Sequence, residues 1–344
     1  MTAEKLSRIL RGKTVLITGG GGIIGSEIAR QVADQKLARI VCLGQREEKL
    51  ITVRDELGQR APDVEVVTEV CDVTERSQLA SVFSTHRPAI VFHVAAKKDI
   101  RDAEARPADA VMVNVQGTVN VVDIALANDC DRLLFTSSTK AFQPASVMGA
   151  TKRLGETIVS AAGSRFSKAF FTVRLTNVLE SSGGVHALFL RQIESGGPVT
   201  VTHPDAERTF VTAAEAVRLL LEALILDQKG SILMLAAGEK TNIAGLARGL
   251  ISAYGRGQRA GTEIEIKYVG LRRGERLVEE TTLDGREWLS TPHENILVAG
   301  PDGASAPDAG LEHSIRELVL LAQGGEAAAV LERLRKMVPS LQFV

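Results

Sequence analysis

Cysteine is scarce in this sequence. Cys42, Cys71 and Cys130 are the three thiols in 344 residues, scattered and without the spacing of a metal site. Neither a disulfide framework nor a bound metal is expected, and the three read as core or near-core thiols of a reducing compartment. Net charge is almost absent too: 41 Lys and Arg face 42 Asp and Glu with the signs interspersed, a formal charge of −1. That balance gives no reason to propose nucleic acid or an anionic membrane as partner. No apolar run reaches membrane-spanning length, and the opening MTAEKLSRIL lacks the long apolar segment of a signal peptide. A cytoplasmic protein with no membrane association is expected. Internal repeats and long low-complexity linkers are missing as well. The Gly/Ala/Pro-rich stretch Ala299 to Gly310 is the candidate flexible loop.

What is present begins with KTVLITGGGGIIGSEIAR, Lys13 to Arg30. A strand-like run, Val15 to Thr18, meets four consecutive glycines and then a segment of helical spacing through Ile24, Ile28 and Val32. Gly19, Gly22 and Gly25 have the spacing of a phosphate-binding turn between a strand and a helix. Glycine permits positive φ there and lets a pyrophosphate lie against bare backbone N–H groups at the helix N-terminus. The flanking strand and helix are the context that this motif requires.

Strand-like and helix-like segments alternate through the first half. Strands are predicted over 14–18, 39–43, 65–71, 90–94, 132–137 and 170–175, with helices over 26–35, 47–57, 75–87, 108–128 and 148–162. This alternation predicts an α/β protein with a Rossmann-type, doubly wound parallel sheet. After about residue 178 turn-rich pieces such as Ser181 to Gly184 and Gly196 to Pro198 interleave with helices over 213–226 and 243–253. We therefore expect a nucleotide domain over 1–178, its first 11 residues an extension, and a smaller C-terminal α/β substrate lobe over 179–344. Some segments of that second half are expected to return to the first sheet. The cleft between the two would hold substrate.

The second strand ends in Gly44-Gln45-Arg46, where an acid would grip an adenosine ribose. No acid stands at Gly44 or Gln45, and Arg46 is placed to meet a 2′-phosphate, which favours NADP over NAD. Alternatively Arg46 is a solvated residue opening the Glu47 helix. Asp72, after the third strand, is a candidate for the adenine amine or an ordinary turn aspartate.

Several longer pieces carry a family resemblance. They are Val91-Phe-His-Val-Ala-Ala-Lys-Lys98, Asn114-Val-Gln-Gly-Thr-Val-Asn120 and the run from Ala141 to Arg153; the second half adds Gly197 to Pro204 and Gly270-Leu-Arg-Arg-Gly-Glu-Arg276. In these, and from Gly12 to Pro339, the chain resembles the extended short-chain dehydrogenases. Within them it is similar to the polysaccharide-biosynthesis group of UDP-N-acetylglucosamine (UDP-GlcNAc) 4,6-dehydratases and related UDP-sugar epimerases. The resemblance implies oxidation of the sugar at C4 by NADP, removal of the acidified C5 proton, loss of water from C6 and return of the hydride. It also implies a homo-oligomer, commonly a dimer formed by the long helices after strands four and five.

On the cofactor side the resemblance assigns Thr18, Gly19, Gly22 and Gly25 to the phosphate turn, with Ile23 and Ile24 opening the helix. It assigns Asp72 and Val73 to the adenine, Ala95, Ala96 and Lys97 to the floor under the cofactor, and Asn114 beside them. Lys152, four residues after Met148 and so on the same helix face, corresponds to the lysine that holds the nicotinamide ribose. On the substrate side it assigns Lys98 and Asn177, a strand at Val199, Thr200 and Val201 for the uracil, Arg208 and Arg272 for the pyrophosphate, and Glu275 for the ribose. A planar guanidinium suits phosphate oxygens.

The catalytic turn departs from the family's Ser-Thr-Asp-Lys-Ala and reads Ser137-Ser138-Thr139-Lys140-Ala141. Ser138 keeps a hydroxyl for the sugar's 4-OH, and Lys140, as a buried amine of lowered pKa, is the candidate base at C5. The acid for the 6-hydroxyl is replaced by Thr139, which can position a water but has no useful acidity. Met148 stands where short-chain enzymes generally have Tyr, Asp99 where the family has His, and Thr176 where it has Gly. Three readings stay open: a 4,6-dehydratase with an acid from elsewhere, Asp99 being one candidate; an epimerase or other relative that keeps the 6-hydroxyl; and an inactive NADP- and UDP-sugar-binding protein.

Overall fold

The computed structural model describes residues 2–179, 184–226, 228–254, 264–272, 274–278, 287–300 and 310–341. Short aliphatic runs form β1 (Thr14–Thr18), β2 (Arg39–Gly44), β3 (Glu65–Val70), β4 (Ile90–His93), β5 (Arg132–Ser138) and β6 (Ala169–Leu175). They pair in the order β3-β2-β1-β4-β5-β6, all parallel. The chain reverses direction of winding between β1 and β4, which opens a crevice at their carboxyl ends. The predicted doubly wound α/β fold is the one observed, with most strand limits within a residue of the sequence reading.

Successive strand residues point to opposite faces, and both faces are covered. Val15, Ile17, Ile90, Phe92 and Leu134 enter one core, under the helices Ile23–Ala33, Glu47–Arg60 and Ala213–Ala223. Leu6 and Leu10 of the opening helix Thr2–Leu10 join it. Leu16, Val91, Leu133 and Phe135 enter the other, under the helices Arg76–His86 and Val147–Arg165 and the helical run Pro107–Ala127. All three cysteines are buried and unpaired, and burial pushes the thiols of Cys42 and Cys130 up to about 12. Such thiols are inert at neutral pH.

Pro107–Ala127 corrects one expectation. It is a continuous run of 21 residues containing an 18-residue window of mean hydropathy 1.4, long and apolar enough by composition to cross a membrane. Within this fold 61% of that window is buried, with the sheet, its neighbouring helices and the helices Leu311–Gln323 and Ala327–Met337 packed around it. Ile315, Leu318, Val319, Val330 and Leu334 of that last pair are part of the same core. Each such side chain contributes about 1.5–3 kcal/mol when fully buried. The helices assigned to dimerisation by family resemblance are thus partly covered by the chain's own C-terminal helices.

The second half builds a smaller lobe and also returns to the sheet. β7 (Asn177–Val178), β8 (Val199–Val201), β9 (Glu207–Val211), β10 (Ile232–Leu235), β11 (Glu239–Asn242), β12 (Ile266–Tyr268), β13 (Trp288–Ser290) and β14 (Ile296–Ala299) follow in order. β10 lies parallel beside β6, and β14 and β13 continue the sheet in antiparallel fashion. The lobe itself holds the sheets β11-β9-β7 and β12-β8. Its core joins Phe189, Ile193, Val199, Phe210, Ile243 and Ala247. The predicted flexible loop falls largely on 301–309, outside the described residues, as do 181–183 of the predicted turn at Ser181.

Candidate active site

Gly19 has φ +70°, and a Cβ there would stand 3.0 Å from the Ala95 nitrogen. A Cβ on Gly25 would stand 2.2 Å from the Gly19 carbonyl oxygen. The first position needs a left-handed backbone, and the second lets the helix Ile23–Ala33 close onto the strand. Gly22 caps this helix without any side-chain hydrogen bond, and Gly22, Ile23 and Ile24 at its positive end line the cavity in front of it.

Behind the turn runs a fully partnered polar chain. The Thr118 hydroxyl donates to the Asn114 carbonyl at 2.7 Å, so it must accept from His93 Nε2–H at 3.0 Å. His93 Nδ1 is therefore an acceptor and takes the Thr18 hydroxyl proton at 2.8 Å. Thr18 in turn accepts the Val94 and Ala95 N–H groups, both at 3.1 Å. Burial, aided by the nearby Lys152 charge, lowers the His93 pKa to about 3, so the ring is neutral. Asn114 sits in a π-helical turn, Met112–Gln116, and clamps Lys97. It accepts the Lys97 N–H at 2.8 Å and donates to the Lys97 carbonyl at 2.9 Å. Thr18, Gly25 and Asn114 thus shape the site from behind and do not line it.

In front of the turn lies a cavity of about 500 Å³. Gly19, Gly22, Ile23, Ile24, Asp72, Val73, Ala95, Ala96, Ser138 and Met148 line it, as do Arg46, Lys97, Lys98, Lys140 and Lys152. Asp72 is its one carboxylate among the described residues. Asp72 is already hydrogen-bonded, to the Gln45 amide and, at 2.9 Å, to the Thr74 N–H. Lys49 is a lining residue that the sequence reading missed, although it lies one helical turn after Arg46. Burial and the charges of Lys49 and Arg46 lower the pKa of Lys98, against the pull of Asp99.

Lys152 is buried under this cavity. Its amine donates to the Thr136 carbonyl at 2.8 Å and stands 4.6 Å above the Phe135 ring. Burial lowers its pKa to about 8, against the opposing charge of Glu156 one turn further along the helix. Glu156 accepts from Arg174 on both oxygens at 2.7 Å and from Ser137 at 2.7 Å, with Arg153 at 3.2 Å. Burial works against the Glu156 charge, but Arg174, Arg153 and Ser137 outweigh it and hold the carboxyl below its ordinary range.

A second cavity, of about 300 Å³, lies toward the smaller lobe. Asp99, Thr139, Thr200, Val201, Arg208, Arg272 and Glu275 line it. Arg101, Arg276, Phe142, Leu188 and Phe189 line it too and were not foreseen. The two cavities share Lys98, Lys140, Asn177 and Val178. Across their linings cations far outnumber carboxylates in a chain whose formal charge is −1. Such a site attracts a polyanion.

Four residues named from the sequence are placed as follows. Val199 is fully buried in the lobe core, and only its neighbours Thr200 and Val201 reach the cavity. Arg208 turns its guanidinium to the Glu207, Arg276 and Leu277 carbonyls, so it fastens a loop in addition to lining the cavity. Asp99 caps the helix Ile100–Ala105, its carboxylate accepting the Asp102 N–H at 3.0 Å. Lys140 is half-buried, and the buried lysine of the site is Lys152.

Fold and site together define a Rossmann-type protein of the short-chain dehydrogenase class with two adjoining cation-lined cavities. Residues 15–301 match the family model described as polysaccharide biosynthesis protein, and the chain belongs to that family. CapD, the capsular polysaccharide biosynthesis protein of Staphylococcus aureus, is 40% identical over 277 residues. EpsC of Bacillus subtilis, a probable polysaccharide biosynthesis protein, is 39% identical over 281. These matches cover 80% and 81% of this chain but 46% of each relative, so the chain spans about half their length. A UDP-glucose 4-epimerase of Rickettsia canadensis is 28% identical over 306 residues, covering 87% of this chain and 81% of that protein. Among solved structures, Pen from Bacillus thuringiensis superposes with a TM-score of 0.78 at 27% identity, covering 92% of this chain and 98% of Pen. DesIV of Streptomyces venezuelae, a dTDP-glucose 4,6-dehydratase, shares the fold, with a TM-score of 0.67 at 19% identity over 77% of this chain and 87% of its own.

Proposed function

We propose that this chain is a nucleotide-sugar modifying enzyme of the short-chain epimerase/dehydratase class. It acts in polysaccharide biosynthesis, as a cytoplasmic homo-oligomer, on a UDP-hexose with NADP, and UDP-GlcNAc is the substrate. One observation carries the reading: a cation-lined cavity over the glycine turn and a cation-lined cavity toward the smaller lobe meet at Lys140 and Asn177.

The first cavity suits NADP, because its glycines leave room where a Cβ would clash and the helix end behind Gly22 is uncapped by side chains. When bound, that cofactor supplies a hydride acceptor for C4 of the sugar and gives the hydride back. Arg46 and Lys49 hold the 2′-phosphate, and Lys152 holds the nicotinamide ribose. Toward the lobe, Lys98, Arg101, Arg272 and Arg276 receive the diphosphate. Ser138 hydrogen-bonds the 4-hydroxyl, and Lys140 takes the C5 proton that a C4 ketone acidifies.

Run as a UDP-GlcNAc 4,6-dehydratase, the site takes the proton for the departing 6-hydroxyl from Asp99, which lines the sugar cavity. A second reading, epimerisation with that hydroxyl kept, is favoured by Thr139, a neutral alcohol in the position of the family's acid. The names of the Rickettsia relative and of DesIV support one reading each. Incubation with UDP-GlcNAc in D₂O, read by NMR, decides between them. A 6-deoxy-4-keto product supports dehydration. Deuterium at C5 or an inverted C4 with the 6-hydroxyl kept supports epimerisation. Unchanged sugar that nevertheless binds contradicts both and leaves an inactive binding protein.

A further inference from the structure

Thr139 and Thr176 follow directly on the last rung of the β5–β6 ladder, where Ser138 pairs with Leu175. Thr139 is 5% exposed and lines the sugar cavity, while Thr176 lines the cofactor cavity. Both hydroxyl oxygens are buried, and neither has a hydrogen-bond partner among the described residues. Seven buried side-chain polar atoms among the described residues share that condition, and of these the two threonine oxygens belong to residues lining the two cavities described above.

A buried hydroxyl without a partner is costly, and folded proteins rarely leave one so. Neighbouring groups have found partners. The Ser138 hydroxyl accepts the Lys140 N–H at 3.3 Å, Lys140 donates to Asn177 at 2.7 Å, and Asn177 donates to the Thr209 carbonyl at 3.2 Å. Two hydroxyls at adjacent positions past the end of the ladder, one lining each cavity, point to a ligand that brings their partner. Each offers one donor and two lone pairs, which matches an alcohol. They carry no charge for a phosphate and no acidity to expel an alcohol as water.

We propose that the Thr139 and Thr176 hydroxyls together receive one hydroxyl of the bound hexose, as specificity-determining residues, and that this hydroxyl survives turnover. The proposal rests on the UDP-hexose reading and goes beyond it by naming what the sugar must present. It assigns the two positions the opposite task from an acid.

The test compares wild type with Thr139→Val/Thr176→Val, using the NADP-loaded full chain and calorimetric titration of UDP-GlcNAc and of UDP. Valine keeps the size and removes both hydroxyls. UDP-GlcNAc affinity is expected to fall about tenfold or more, because a site built for a hydroxyl then lacks its groups, while UDP affinity holds. The melting temperature of the ligand-free variant is expected to stay level or rise, since orphaned polar groups are removed. Thr139→Ser, which keeps its hydroxyl, retains affinity. Unchanged UDP-GlcNAc affinity, or a parallel loss for UDP, overturns the proposal; so does a lower melting temperature, which would show internal partners. Wild type that binds NADP but neither UDP compound overturns the UDP-hexose reading, and this proposal with it.

Discussion

The Lys140 amine donates to the Asn177 side-chain oxygen at 2.7 Å and so joins the turn after β5 to the first strand of the smaller lobe. Both residues line both cavities. The hydrogen bond fixes a flexible four-carbon side chain at the point where the two cavities meet, and Asn177 is itself held by the Thr209 carbonyl. Positioning of this kind is what a proton-transferring amine requires before its pKa matters.

Gly149 sets where that amine starts. A Cβ there would stand 2.3 Å from the Lys140 carbonyl oxygen and 3.0 Å from the Pro144 Cβ. Gly149→Ala is expected to push the turn away from the helix Val147–Arg165, costing about 1–3 kcal/mol. Turnover falls while UDP affinity holds, which steady-state kinetics and calorimetry distinguish. Equal loss of both would place the effect outside the turn.

Lys152 predicts a pH breakpoint. Its pKa is lowered from 10.5 to about 8, chiefly by burial. Below that value the amine is charged in folded and unfolded chains alike. Between the two values the unfolded chain binds a proton that the folded one lacks, so stability rises with pH across the window. Denaturation of the ligand-free protein should show this rise in wild type and not in Lys152→Met. NADP affinity should weaken above the lower value as the charge is lost.

Glu156 anchors the buried network beneath the site. Glu156→Gln leaves Arg174 buried beside a neutral amide and is expected to cost about 3–5 kcal/mol at neutral pH by urea denaturation. Glu156→Gln/Arg174→Met, which removes both charges, should recover much of that loss. The carboxyl is held below its ordinary 4.5, so its contribution is complete above that value and fades as the pH falls through the lower folded one. The difference between wild type and Glu156→Gln should therefore shrink in acid.

Cofactor choice is tested at Arg46 and Lys49. Removing both as Arg46→Ala/Lys49→Ala is expected to weaken NADP about tenfold while NAD changes little, since the 2′-phosphate is the group proposed to meet them. Equal weakening of both cofactors would move these residues to the pyrophosphate.

Much of this was legible in the sequence because side-chain periodicity decides it. Thr14–Thr18 and the inner strands after it read correctly, since each is a short, largely apolar run covered on both faces. The glycine turn was readable for the same local reason. Tertiary pairing was not: Ile232–Leu235 is a four-residue apolar run whose place beside β6 depends on the whole lobe. Single side chains were the least legible. Nothing in the local sequence says that Arg208 turns to carbonyls at 276 and 277, or that Asp99 meets the Asp102 N–H. Lys49 had a signal, its helical spacing from Arg46, and Arg276 stood within a quoted motif.

The most direct measurement is deuterium uptake at C5 of UDP-GlcNAc in D₂O, compared between wild type and Lys140→Gln with NADP bound. Wild type should take up deuterium, and Lys140→Gln should do so about a hundredfold more slowly, with UDP affinity preserved. Uptake by Lys140→Gln at the wild-type rate would contradict the placing of the chemistry at the junction of the two cavities.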